Sequence, residues 1–160
     1  MGEHALKVFW AIPCQSAVID KDSNAVSLLN IIEDVMIVVE IPPIPRPPAG
    51  KREIFAAGFE LVIMWGRSDP NSPEKAVARV NLVTPKGNTF GSEQPVEVDL
   101  TQHRRSRTKV RIPGIPAEGE GIYTFVIEEK TAQGDWKHVF EVPITLEVAT
   151  RELSSGAKQT

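Results

Sequence analysis

The sequence predicts an all-β protein, an antiparallel immunoglobulin-like β-sandwich of about eight strands. Three observations predict it. The first is strict alternation between Gly119 and Val148. Tyr123, Phe125 and Ile127 fall on one face, and Thr124, Val126 and Glu128 on the other. After the polar connection Thr131 to Asp135, which holds Gly134, the residues Phe140, Val142, Ile144, Leu146 and Val148 share a face. Lys137, Glu141, Thr145 and Glu147 lie opposite them. A period of two marks a hairpin with one buried and one wet face. The second observation is proline: 13 of 160 residues, against an average of about 5%. Prolines suit strand ends, edges and loops and spoil helix interiors. The third is the series of turn signals between short apolar runs, as in a sandwich.

In chain order, Ala5 to Ile12 predicts a short strand that Pro13 kinks or leaves at an edge, resuming through Ala17-Val18-Ile19. Asp20 to Asn24 is a dense turn signal. Leu28, Ile31, Ile32 and Val35 have helical spacing, so Ser27 to Val35 has a helical reading. Strands are preferred over Ala25 to Glu40, because Val35 to Val39 is rich in β-branched residues and follows a hairpin-like turn. Ile41 to Gly50 is proline-dense and predicts polyproline II. Phe55 to Arg67 predicts a long strand with Phe59, Leu61, Ile63 and Trp65 on one face and Glu60, Val62 and Met64 on the other. Further strands follow over Ala76 to Thr84, Val96 to Leu100 and Arg107 to Ile112. Loops lie at Ser68 to Pro73, Pro85 to Asn88 and Pro113 to Pro116. Residues 1–148 are expected to form one sandwich domain and residues 149–160 a flexible C-terminal tail. Trp65 on a long strand and Tyr123 at the start of another match the core tryptophan and corner tyrosine of immunoglobulin-like domains.

Two segments resemble a family of uncharacterised bacterial proteins. One runs from Cys14 to Val35; the other opens with Gly121-Ile-Tyr-Thr-Phe and ends with Val142-Pro-Ile-Thr-Leu-Glu-Val. With Val83-Thr-Pro-Lys-Gly87 they cover much of residues 11–148. The resemblance implies a β-sandwich of unknown function and no catalytic residues.

Composition narrows the function classes. The chain is 41% hydrophobic and 24% charged, ordinary for a globular domain. Its formal net charge of -3 argues against wholesale nucleic-acid binding. Cys14 is the single cysteine, so no intrachain disulfide forms and a reducing compartment is permitted. The N-terminal apolar run is broken by Lys7 and stops at Pro13, too short for a signal peptide. No stretch approaches a membrane span, and Leu6 stands where a myristoylation signal needs Ser or Thr. The cytoplasm is the expected compartment.

Candidate chemistry is sparse. A nucleophilic dyad would pair Cys14 with His4, His103 or His138, but a thiol after Pro13 in an apolar strand reads as buried and inert. No Gly-x-Ser-x-Gly, His-Glu-x-x-His or P-loop pattern occurs. Asp20, Asp22 and Asn24 begin like a calcium loop, yet Ala25-Val26 follows where ligands are needed, so the turn reading wins. No catalytic residue, metal or cofactor is expected.

Surfaces carry more. His103 to Arg111 holds five of the 18 Lys and Arg residues and no acid. It reads as a solvated strand whose charges guard an edge; its functional reading is a grip on an acidic partner. Without interleaved aromatic residues, nucleic acid is disfavoured. Pro42-x-x-Pro45 and Pro45-x-x-Pro48, with Arg46 inside and Lys51-Arg52 after, have a recognition-motif reading, although a stiff crossover is preferred. Trp10, Trp136 and Phe90 are candidates for an aromatic interface patch. The expected partner contacts are therefore Pro42, Pro45, Arg46, Pro48, Arg104, Arg105, Arg107 and Trp136. The expected function is non-enzymatic, binding a protein partner or self-associating. The alternative is a small-ligand or carbohydrate-binding module using loops at one end of the sandwich.

Overall fold

The computed structural model describes residues 6–20, 22–23, 25–41, 54–55, 58–91, 95–116 and 118–152. The proline segment with Pro42, Pro45, Arg46 and Pro48 lies outside them, as do His4 and Asn24. The described residues contain strands and no helix. In chain order these are β1 (Lys7–Ile19), β2 (Val26–Ile31), β3 (Asp34–Ile41), β4 (Ile54–Phe55), β5 (Phe59–Gly66), β6 (Lys75–Val83), β7 (Thr89–Gly91), β8 (Val96–Asp99), β9 (Arg105–Ile112), β10 (Ile115–Pro116), β11 (Gly121–Lys130) and β12 (Trp136–Glu152).

The first sheet has the order β2-β1-β5-β9. The second has the order β3-β12-β11-β6-β7, with β8 also paired to β6. The short strands β4 and β10 form a separate ladder. Within the sheets, β1-β5-β9 and β6-β11-β12 reproduce the A-B-E and C-F-G orders of immunoglobulin-like sandwiches. The fold class read from alternation is therefore correct, with more strands than the eight counted.

Two details differ from expectation. The sandwich is not wholly antiparallel: β3 pairs with β12 in parallel, from Thr145↔Asp34 to Glu152↔Ile41. That pairing also makes residues 149–152 part of β12 instead of a tail. The chain can do this because β1 and β2 lie in the first sheet while β3 crosses to the second, arriving beside the last strand in the same direction. Val26–Ile31 and Asp34–Ile41 are strands, and no helix forms between Val26 and Ile41. Between β2 and β3, Ile32 donates its N–H to the Pro13 carbonyl at 2.9 Å. Pro13 neither breaks nor kinks β1 out of its ladder. Its nitrogen points to the same side as that carbonyl, where β2 ends and no donor is required.

The main core lies between the sheets. Leu61, Ile63, Trp65, Tyr123, Ile127 and Leu146 are fully buried there. Phe59 of the first sheet meets Phe125 of the second edge to face, with ring centroids 5.7 Å apart, a favoured aromatic geometry. Trp65 stands on β5, the position of strand B and not of strand C, where immunoglobulin domains place theirs. Its buried indole N–H is satisfied by Thr108 Oγ1 at 2.9 Å.

Tyr123 forms the corner that the sequence suggested. Its hydroxyl lies 2.9 Å from the Gly119 carbonyl and 3.0 Å from that of Pro116. It accepts the Glu118 N–H at 3.2 Å. Burial pushes the phenol pKa up, so the hydroxyl stays a donor. Replacing Tyr123 by Phe should keep the fold but cost about 1 kcal/mol, because the Gly119 carbonyl loses its donor while the Glu118 N–H and the Pro116 carbonyl keep their 2.9 Å bond to each other. Urea unfolding would show a lower midpoint with an unchanged slope.

Candidate partner-binding surface

The outer face of the first sheet is built by register. β5 pairs with β1 on one side and β9 on the other, so three residues form each row across the sheet. The outward rows are Lys7/Gly66/Arg105, Trp10/Met64/Arg107, Ile12/Val62/Lys109 and Cys14/Glu60/Arg111. Every outward residue of β9 on this face is a cation. With Lys7 the rows hold five cations and one acid, Glu60, on a chain whose net charge is -3.

A bulge between Val8 and Trp10 inserts Phe9 into this face. Phe9 is 41% exposed. Its ring sits against Gly66, where any Cβ would collide with it. Lys7 Nζ lies 5.1 Å from the ring centroid and the Arg105 guanidinium 5.0 Å, both within cation–π range. The basic run does have aromatic neighbours. They come from β1, almost a hundred residues away in the chain, and only the β5 register reveals them.

The centre of the face is a small second core. Cys14, Ala17 and Val62 are buried there, with Trp10, Val26 and Leu28 packed against them. Glu60 and Lys109 fasten the β1–β2 hairpin over it. Glu60 accepts the Ala17 N–H at 2.7 Å and the Lys109 ammonium at 3.1 Å. Lys109 also reaches the Ala17 carbonyl at 3.4 Å. Burial alone would raise the Glu60 carboxyl pKa; the Ala17 N–H and the Lys109 and Arg111 charges outweigh it and hold the pKa below its ordinary 4.5. Burial, with the Glu60 charge, pushes the Cys14 thiol pKa up, which disfavours the reactive thiolate. Neither His138, on β12 of the other sheet, nor His103, in the loop before β9, belongs to this cluster.

The expected contact residues separate into groups. Arg105 and Arg107 lie on the basic face, where the Arg107 Nε is buried with no hydrogen-bond partner among the described residues. Arg104 precedes β9, and its carbonyl accepts the Arg67 N–H at 3.3 Å. Trp136 sits on the second sheet with the Arg79 guanidinium 4.3 Å from its ring centroid. Arg79 in turn pairs with Glu128 at 2.6 Å. One face of that tryptophan is thus occupied within the chain. Trp10, Phe90 and Trp136 do not form one patch: Trp10 packs on the small core, and Phe90 against the main one.

Elsewhere, Asp20 Oδ1 accepts the N–H groups of Asp22 and Ser23 at 2.8 Å each, closing a turn. Among the described residues no three His, Cys, Asp or Glu converge as a metal site, and no helix is long and apolar enough to cross a membrane. An open groove of about 470 Å³ lies beside Met36, Glu120, Thr145 and Glu147; among the described residues no aromatic side chain lines it.

No family model matches the chain, and no curated protein matches it. One similar solved structure is a family 123 glycoside hydrolase from Clostridium perfringens, described for glycolipid glycan hydrolysis. The identity is 10% and the TM-score 0.37, over 95% of this chain and 28% of that one. The chain thus spans little more than a quarter of the hydrolase's length, and at that similarity neither reaction nor substrate carries over.

The Glu60 clasp has a pH signature. A depressed folded pKa stabilises the fold above the ordinary carboxylate value, and that contribution fades as pH falls through the folded value. Glu60→Gln should lower stability by about 1–3 kcal/mol at neutral pH. The gap from the parent should close progressively in acid. Urea unfolding of both proteins over a descending pH series would show converging curves.

Proposed function

We propose that this is a non-enzymatic β-sandwich domain that works by binding protein, including a second copy of itself, through open sheet edges. The observation that carries the reading is the character of β2. Among the described residues it is the last strand of the first sheet, and its sequence Val-Ser-Leu-Leu-Asn-Ile has no charge and no proline. Leu29 and Ile31 are 53% and 56% exposed, and Val18 on the neighbouring β1 is 56% exposed. Edge strands are usually protected by charge, proline or a cover, because their free N–H and C=O groups invite pairing. β2 has none of the first two. Its one irregularity is Asn30, whose φ of 52° lies in the left-handed region and whose amide donates to Gln15 Oε1 at 2.6 Å. An apolar, uncharged strand can face its own copy without repulsion, which supports self-association at this edge. A single buried cysteine suits a reducing compartment, and the cytoplasm remains the proposed location.

Light scattering behind size-exclusion chromatography tests the self-association arm. The parent chain should move from monomer toward dimer as concentration rises. Leu29→Lys/Ile31→Lys should stay monomeric with an unchanged unfolding midpoint, since both side chains are largely exposed. A parent chain that is monomeric at every concentration rules out self-association.

A further inference from the structure

We propose that the β9 edge receives an extended acidic strand of a partner protein, adding it to the first sheet. β9 has β5 on one side and, among the described residues, no strand on the other. Its outward side chains are Arg105, Arg107, Lys109 and Arg111, one at every second residue. Alternate residues of a strand are about 6.6–6.8 Å apart, so carboxylates at alternate positions of an added strand meet these cations in register. The main-chain groups of the free edge supply affinity, and the side-chain rows supply selectivity.

The same charges that guard the edge decide what may cross the guard. A second copy of β9 would set cation against cation and is repelled. A neutral strand gains nothing from the row. An acidic strand gains at Arg105, Arg107 and Arg111, while Lys109 is already held by Glu60 and the Ala17 carbonyl. Arg107 is half-buried within this row, its Nε without a hydrogen-bond partner among the described residues.

Nucleic acid is the competing polyanion and is the weaker fit. The Phe9 ring is engaged by Lys7 and Arg105, and Trp10 packs on the small core. Neither is a free stacking platform.

The test uses the full chain and a fluorescent peptide matched to the eight residues of β9, alternating glutamate and threonine. Anisotropy at low salt should show binding that weakens with added salt. Arg105→Glu/Arg111→Glu, both exposed positions, should weaken it about ten-fold or more and gain binding of the matching lysine–threonine peptide. Arg105→Lys/Arg111→Lys should retain most of the affinity and guards against a folding artefact. N-methylation of one alternate set of peptide amides should abolish binding, and of the other set leave it. The proposal is overturned by no peptide binding, by equal affinity after either N-methylation, or by tighter binding of a single-stranded oligonucleotide than of the acidic peptide. Oligomeric state is not read in this assay, so its outcome is independent of the β2 edge.

Discussion

The structure depends on one constraint: β5 must be buried on both faces. Phe59, Leu61, Ile63 and Trp65 enter the main core, while Val62 and Met64 on the opposite face are also buried. The outer face of an antiparallel sheet is commonly left to water. Here the chain supplies its own cover. The β1–β2 hairpin brings Ala17 over Val62, and Glu60 and Lys109 fasten it from below. Trp10 and the long cationic side chains flank the cover, their stems apolar and their heads charged. The basic face is thus partly a consequence of packing: β9 needs side chains long enough to border a buried row yet polar at the tip.

That arrangement gives the two edges of one sheet opposite characters. β2 is uncharged and apolar, and β9 is a row of cations. Since a sheet edge offers the same main-chain groups everywhere, side-chain charge is what distinguishes the two edges. The second sheet closes on the parallel β3–β12 ladder instead. Its hairpin surface is internally committed, with Arg79 held between Glu128 and Trp136.

Local alternation made β5, β6, β11 and β12 legible in the sequence, and with them the sandwich. Tyr123 was legible because its corner is a short-range feature, closed by carbonyls four and seven residues upstream. Long-range register was not. Phe9 sits beside Arg105 only because both flank Gly66, and no local pattern encodes that. Residues 149–152 read as a tail because the segment from Ala149 is polar and small; backbone pairing with β3 makes them strand. Glu60 escaped notice because a lone acid among apolar residues reads as an ordinary solvent-facing position. Arg104, Arg105 and Arg107 were singled out by composition alone, and the structure separates them into a loop residue and two members of the basic face.

Among the described residues β9 is an open edge of a sheet whose centre is sealed. Residue-resolved hydrogen exchange of the free protein tests that directly. The amides of β5 should exchange at the slow rate of global unfolding. Those of β9 should alternate, with every second amide fast because it faces water and not β5. Uniform slow exchange along Arg105 to Ile112 would mean that another segment covers the edge, and would contradict the account.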